Sequence, residues 1–285
     1  MRAGSDSHLP ESGNAFAYLG ANGLGLTSAD NNPVVSRICP TLAQESAILG
    51  KLTPSLGVSQ AFILSDASVA SQANASSFQE SFQNSGGVVV GSQEVAAGTS
   101  DFSAIITAMR ESGADLIFFA GSVQDAALCK QQMIEMGFNE PICCGTSELT
   151  TAGFAQAAGE AAANTVSLQP GFSYEASQAG QAFLENYAAK NYNVPVGQAT
   201  MYAYDAAQTI LTALRQWEGE EPPTAADLTP IIRRVQFEGL SGTIAFDTVG
   251  QNTNDTGSLL IYSDGTWTPW QKTTDADNAA ETVVE

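Results

Sequence analysis

Between Asp101 and Glu148 the apolar positions change from helical spacing to an unbroken run and back. Phe102, Ile105, Ile106 and Met109 recur at i, i+3, i+4 and i+7, with Ser100 or Asp101 as N-cap and Gly113 just past the end. That pattern predicts an amphipathic helix. Residues 116–120 are continuously apolar and closed by Gly121, as expected of a strand covered on both faces in a parallel sheet. Residues 122–125 offer caps for a second helix, with Ala126, Cys129, Met133 and Met136 on one side and Gly137 as the stop. Residues 141–145 predict another short strand. Strand, helix, strand at this spacing is a βαβ unit with a right-handed crossover. In open α/β sheets small ligands bind beyond the carboxyl ends of the strands, so Ser122 and the turn Thr146, Ser147, Glu148 would lie on one rim.

The same reading extends in both directions. Upstream it predicts a short helix over 14–22, a strand over 23–27, and a polar turn from Ser28 to Pro33. An extended stretch over 34–39, a helix over 43–52, a strand over 60–64, a helix over 73–82 and a strand over 88–90 follow. Downstream come a helix over 152–158, a strand over 165–168 and helices over 178–192, 199–217 and 228–235. The helix over 199–217 would bury Ala203, Ala206, Ala207, Ile210, Leu211 and Leu214 as a wide apolar face. Strands over 242–247 and 259–262, joined by a long polar loop, and an extended piece over 265–270 complete the order. The acidic tail beyond Lys272 is expected to be disordered.

Composition narrows the function. The chain has 285 residues, 44% of them hydrophobic, enough for a substantial core. Thirty acidic against ten basic residues give a net charge of −20, which disfavours nucleic acid and anionic membrane surfaces, both of which need Lys and Arg. No run approaches the ~18 apolar residues of a membrane span, so direct membrane insertion is not expected. The first residues lack the apolar core of a signal peptide.

Candidate chemistry points away from catalysis. The four cysteines, at 39, 129, 143 and 144, form no C-x-x-C pair, and the single histidine is His8, so neither a structural zinc site nor a nucleophile–histidine pair is expected. Cys129 and Cys143 are expected as two buried thiols, and Cys143 and Cys144 should face opposite sides of a strand. A phosphate loop is missing, because Gly50-Lys51 lacks the first glycine and the following hydroxyl. Gly23-Leu24-Gly25 is not completed by a third glycine before a helix. A carboxylate pair assembled from Glu148, Asp66 or Asp125 stays open, and no cofactor or metal is expected.

The succession LTSADNNP, SRICPT, FILSD, a helix ending in GG, TSDFSAIITAMRESGADLIFFAG, YAYDAAQTILTAL and FEGLSGTIAFDTVG resembles the type I periplasmic binding proteins, and within them the branched-chain amino acid substrate-binding subunits of ABC transporters. The resemblance covers about residues 14–270. It implies an α/β fold of two lobes with parallel sheets flanked by helices, closing on a ligand around a hinge and delivering it to a membrane permease. It also implies a periplasmic or extracellular location, with lipid anchoring of the full-length protein as an option. The runner-up is the ligand-sensing domain of a receptor or regulator with the same fold.

Carried over residue by residue, the resemblance implies ligand contacts at Thr27, Ser28, Ala29 and Asn31 in the first lobe, with Asn31 where Ser or Thr is usual. In the second lobe Ala70 and Ser122 stand where aromatics are common, and the acid that pairs a ligand's ammonium falls at Ser147 or, shifted by one, at Glu148. The missing rings favour a polar or larger ligand over a leucine-like one. For Ser122 and Ser147 simple helix capping is the competing reading, and for Glu148 a solvated or capping carboxylate. The expected division is 1–41 as a remnant of the first lobe, 42–170 as the second lobe, 171–238 as helices returning to the first, 239–270 as hinge and terminal strands, and 271–285 as the tail. The first lobe would be incomplete, lacking its opening β and α units, either because the sequence is truncated or because it is a remnant needing a partner chain. Truncation is the expectation.

Overall fold

The computed structural model describes residues 16–18, 27, 34–96 and 98–270. In chain order the strands and helices are β1 (Phe16–Tyr18), β2 (Val35–Arg37), α1 (Leu42–Leu52), β3 (Gln60–Asp66), α2 (Val69–Asn84), β4 (Val88–Val95), α3 (Ser103–Ser112), β5 (Leu116–Phe119), α4 (Val123–Glu135) and β6 (Ile142–Gly145). They continue with α5 (Ala152–Ala158), β7 (Thr165–Pro170), α6 (Gln178–Ala189), α7 (Gln198–Arg215), α8 (Ala225–Ile232), β8 (Phe237–Glu238), β9 (Thr243–Ile244), β10 (Gly257–Ser263) and β11 (Thr266–Pro269). The chain divides into two compact units, one made of 1–40 and 174–254 and the other of 41–173 and 255–285.

The second unit is built on a seven-stranded sheet in the order β11-β10-β7-β6-β5-β3-β4. Its five strands from β4 to β7 run parallel, while β10 and β11 add antiparallel at the edge. Side chains alternate across the pleat, and the alternation sorts them into two cores. Phe62, Leu64, Ile117, Phe119 and Cys143 face α3, α4 and α5, whereas Ala61, Ile63, Leu116, Phe118 and Cys144 face α1 and α2. Cys143 and Cys144 therefore lie on opposite faces, and all four cysteines are buried and outside any disulfide. Phe118 stacks on Phe78 at 4.0 Å, which ties α2 to the centre of the sheet. α1 lies so close to α2 that a Cβ on Gly50 would stand 2.7 Å from the Phe78 carbonyl oxygen and the Phe82 nitrogen.

The first unit holds the parallel pair β1-β2, the antiparallel pair β8-β9 and helices α6 to α8. Asn252 and Gln251 stitch its segments by donating side-chain amide hydrogens to the carbonyls of Ile38 and Cys39. Asp205 of α7 is fully buried and accepts the Leu240 and Ser241 backbone N–H groups at 2.7 and 2.8 Å and the Ser241 hydroxyl at 2.6 Å.

Several local expectations change. Residues 16–18 form a strand rather than part of a helix, paired in parallel with β2. The N-cap of α3 is Phe102, with Asp101 accepting the Ser103 N–H from one position further back. Strand structure within 242–247 shrinks to β9, which pairs with β8 and not with the later strand. The segment 239–270 is divided after residue 254, with β10 and β11 completing the large sheet. Ile210, Leu211 and Leu214 of α7 are exposed, while Met201, Tyr202, Asp205, Ala206, Thr209 and Ala213 are buried. The buried side of α7 includes two polar residues, Asp205 bonded to Leu240 and Ser241 and Thr209 bonded one turn back, so counting apolar positions shifted the expected face away from the observed one. The expected strand over 23–27 falls outside the described residues except at Thr27, and the tail falls wholly outside them.

Candidate functional site

Three neighbouring parallel strands of the second unit, β3, β5 and β6, end on one edge of the sheet, and each runs into a turn built from small polar residues. After β3, the Asp66 N–H donates to the Ser71 hydroxyl at 2.8 Å, and the Asp66 carboxylate accepts the Ser68 N–H at 2.8 Å. Ser68 caps α2. Ala70 sits exposed in the first turn of that helix. After β5 comes Gly121, where a Cβ would approach the Asp66 carboxylate to 3.2 Å. A larger residue would push on that turn. Ser122 then caps α4, accepting the Asp125 N–H at 3.1 Å and donating its own hydroxyl to the Asp125 carboxylate at 2.8 Å. Leu64, Asp66, Phe119, Gly121, Ser122 and Asp125 line a small hollow between these two turns.

After β6 the chain makes a one-turn 3₁₀ helix, Ser147–Thr150. The Thr146 carbonyl accepts the Ser167 hydroxyl from β7 at 2.8 Å, which fixes where the turn begins. Ser147 donates its backbone N–H at 2.8 Å and its hydroxyl at 3.0 Å to the two carboxyl oxygens of Glu45, in the first turn of α1. Glu45 is buried, at 4% exposure. Burial pushes its carboxyl group up to about 7; the two bonds from Ser147 pull it down, and the nearby Glu148 carboxylate pushes it up further. Glu148 is half-buried, and loss of water raises its carboxyl group too. The first turns of α1, α2, α4 and the 3₁₀ turn bring their partly positive amino ends to this edge, an environment that favours negative charge.

The structure thus brings Ala70, Ser122, Ser147 and Glu148 onto turns of adjacent strands. Ser122 is committed to capping, and Ser147 is committed to Glu45. Thr27 belongs to the other unit, where it is buried with its hydroxyl 3.4 Å from the Gln251 side-chain oxygen. Ser28, Ala29 and Asn31 lie outside the described residues. Sequence reasoning missed Glu45, because an acid in the first turn of a helix reads as an ordinary favourable charge. The one available signal was that α1 follows Thr41, whose capping box with Gln44 fixes the helix start and so places Glu45 one turn in.

A family model described as periplasmic binding protein matches residues 11–262. A leucine-, isoleucine-, valine-, threonine- and alanine-binding protein of Pseudomonas aeruginosa is 26% identical over 162 residues, covering 55% of this chain and 41% of that protein. An amino acid binding protein of the same organism is 24% identical over 232 residues, 78% of this chain and 61% of that protein. Among solved structures, a leucine binding protein from Thermotoga maritima superposes with a TM-score of 0.67 at 21% identity, over 87% of this chain and 70% of the other. The chain therefore spans 41% to 61% of the length of these two curated relatives.

Proposed function

The chain belongs to the periplasmic binding protein family, and from that premise we propose that it captures an amino acid or similar small polar solute outside the cytoplasmic membrane for an ABC importer. The observation that carries this reading is the rim, where three adjacent parallel strands end in small, hydrogen-bonded turns around Ser122, Ser147 and Glu148. Glu148 is the candidate partner for a ligand's ammonium group, since it is half-buried on the rim and its carboxyl group is raised by lost water. An incoming positive charge would restore what burial removes. The small side chains of Ala70 and Ser122, in place of rings, suit a solute bulkier or more polar than leucine.

The rim binds and does not transform. The family is one of periplasmic binding proteins, and the only histidine in the chain, His8, is far in sequence from every rim residue. Delivery to a permease and location outside the cytoplasmic membrane are part of the same proposal. Calorimetry of the full chain against the twenty L-amino acids tests it, with saturable heat and a thermal shift expected for at least one of them. Absence of heat and of any thermal shift across the set overturns the reading.

A further inference from the structure

We propose that Glu45 is a positioning residue of this rim that makes it selective for solutes carrying a positive charge, releasing a proton as that charge arrives; the inference rests on the solute-binding reading above. Its basis is a part-buried cross-link that ends on a buried carboxyl group. One residue, Ser147, satisfies both oxygens of the Glu45 carboxyl group from 102 positions away in the chain, through its N–H and its hydroxyl. The two donors hold the carboxyl group in place whether or not it is ionised, because an N–H and a hydroxyl can both serve a neutral acid.

None of the described elements packed against α1 supplies Glu45 with a cation. On α1 itself the only base is Lys51, exposed at the far end of the helix and paired with Asp255 at 2.9 Å. The only charged residue of α2 is Glu80, which is exposed. β7 has no ionisable side chain and β10 has only Tyr262. The 3₁₀ turn contributes Glu148, a second negative charge. Ionising Glu45 in this setting buries a negative charge with no cation among the described elements to offset it, so in the free protein the neutral acid is favoured below about pH 7, and a positive charge brought near shifts the balance to the carboxylate.

A ligand ammonium at Glu148 changes that balance. The Glu45 carboxylic acid loses its proton to solvent, the ammonium keeps its own three, and the rim gains a net negative charge matched to the ligand. Binding and proton release are then linked, so affinity rises with pH while Glu45 is still protonated in the free protein and levels off once it is ionised. With the carboxyl group at about 7, Kd should fall by up to about tenfold per pH unit below neutrality and flatten above it.

The experiment titrates the full chain by calorimetry at pH 8.5 with each of the twenty L-amino acids, then follows the strongest binder from pH 5.5 to 8.5 in buffers of different ionisation heat. The expected result is a buffer-dependent heat near pH 6.5 that reports a released proton, together with the rising affinity. Glu45→Gln should still bind, since a glutamine can accept from the Ser147 N–H and pair with its hydroxyl, but its affinity should be flat in pH and its heat independent of buffer. The wild-type buffer series needs no variant, so it decides the matter even if Glu45→Gln fails to fold. A pH-independent wild-type Kd, or a Glu45→Gln protein that keeps the proton release, overturns the role of Glu45 while leaving solute binding intact. No heat with any amino acid overturns the solute-binding reading and this inference with it.

Discussion

Glu45 should make the ligand-free protein less stable as the pH rises, and Glu45→Gln measures by how much. Its carboxyl group stands at about 7 against an ordinary 4.5, a difference that corresponds to about 3 kcal/mol at about 1.4 kcal/mol per pH unit. Because the folded value is the raised one, the stabilising contribution of the protonated acid is fully present below about 4.5. It is lost progressively as the pH climbs through about 7. Glutamine has nearly the same shape, keeps the two contacts to Ser147, and does not titrate. The difference in unfolding free energy between the two proteins should therefore move in favour of the variant by up to about 3 kcal/mol between pH 4.5 and 8, and then stay level. Urea melts followed by circular dichroism at half-unit pH steps give that difference, and taking it between two otherwise identical chains cancels the other titrating groups. A difference that is flat across this range, or one that moves in favour of the wild type, would refute the reasoning. Either result would mean that water or an unrecognised cation reaches the carboxylate.

Two further predictions concern the scaffold. Asp205→Ala should lower stability by about 3–5 kcal/mol, because it strands the buried N–H groups of Leu240 and Ser241; thermal melts check this, and a loss below about 1 kcal/mol would contradict the role assigned to Asp205. Gly50→Ala should cost about 1–3 kcal/mol despite the better helix propensity of alanine, since its Cβ would meet α2 backbone atoms at 2.7 Å; denaturant melts that show a net gain would mean the two helices can separate without loss.

How much of this could be read from the chain follows from which physical signal each feature leaves. The central βαβ order from Asp101 to Gly145 was legible because a strand covered on both faces must be apolar throughout, and β5 is, while the helices either side repeat at 3.6. The opposite placement of Cys143 and Cys144 followed from the pleat alone. Ser122 was legible as a cap because an N-cap needs a short side-chain acceptor directly before an apolar-periodic run, and the structure puts it there. Residues 16–18 were misread because a strand of three residues is too short to show alternation. The identity of its neighbour, β2, is a long-range fact that local periodicity does not carry. The buried side of α7 was misjudged for a related reason. Asp205 and Thr209 count as polar in any pattern, yet each is buried with its oxygen bonded, Asp205 to the β8–β9 turn and Thr209 to the Asp205 carbonyl one turn back.

The rim shows where the limit lies. Ser147 and Glu148 were legible as a turn beyond a strand end because that position depends only on the order of elements. What makes the turn chemically unusual is Glu45, which comes from a helix that precedes the sheet and meets Ser147 only once the sheet has brought β6 beside β5 and β7. An acid one turn into a helix is, by every local rule, a surface residue favoured by the helix dipole. Here the fold removes most of the water and supplies two hydrogen-bond donors but, among the described residues, no cation, so the same residue becomes a group poised to exchange a proton for a ligand's charge. Topology determines that change of role, and it is why the wild-type proton release on binding is a sharper test of this rim than the loss of any single contact.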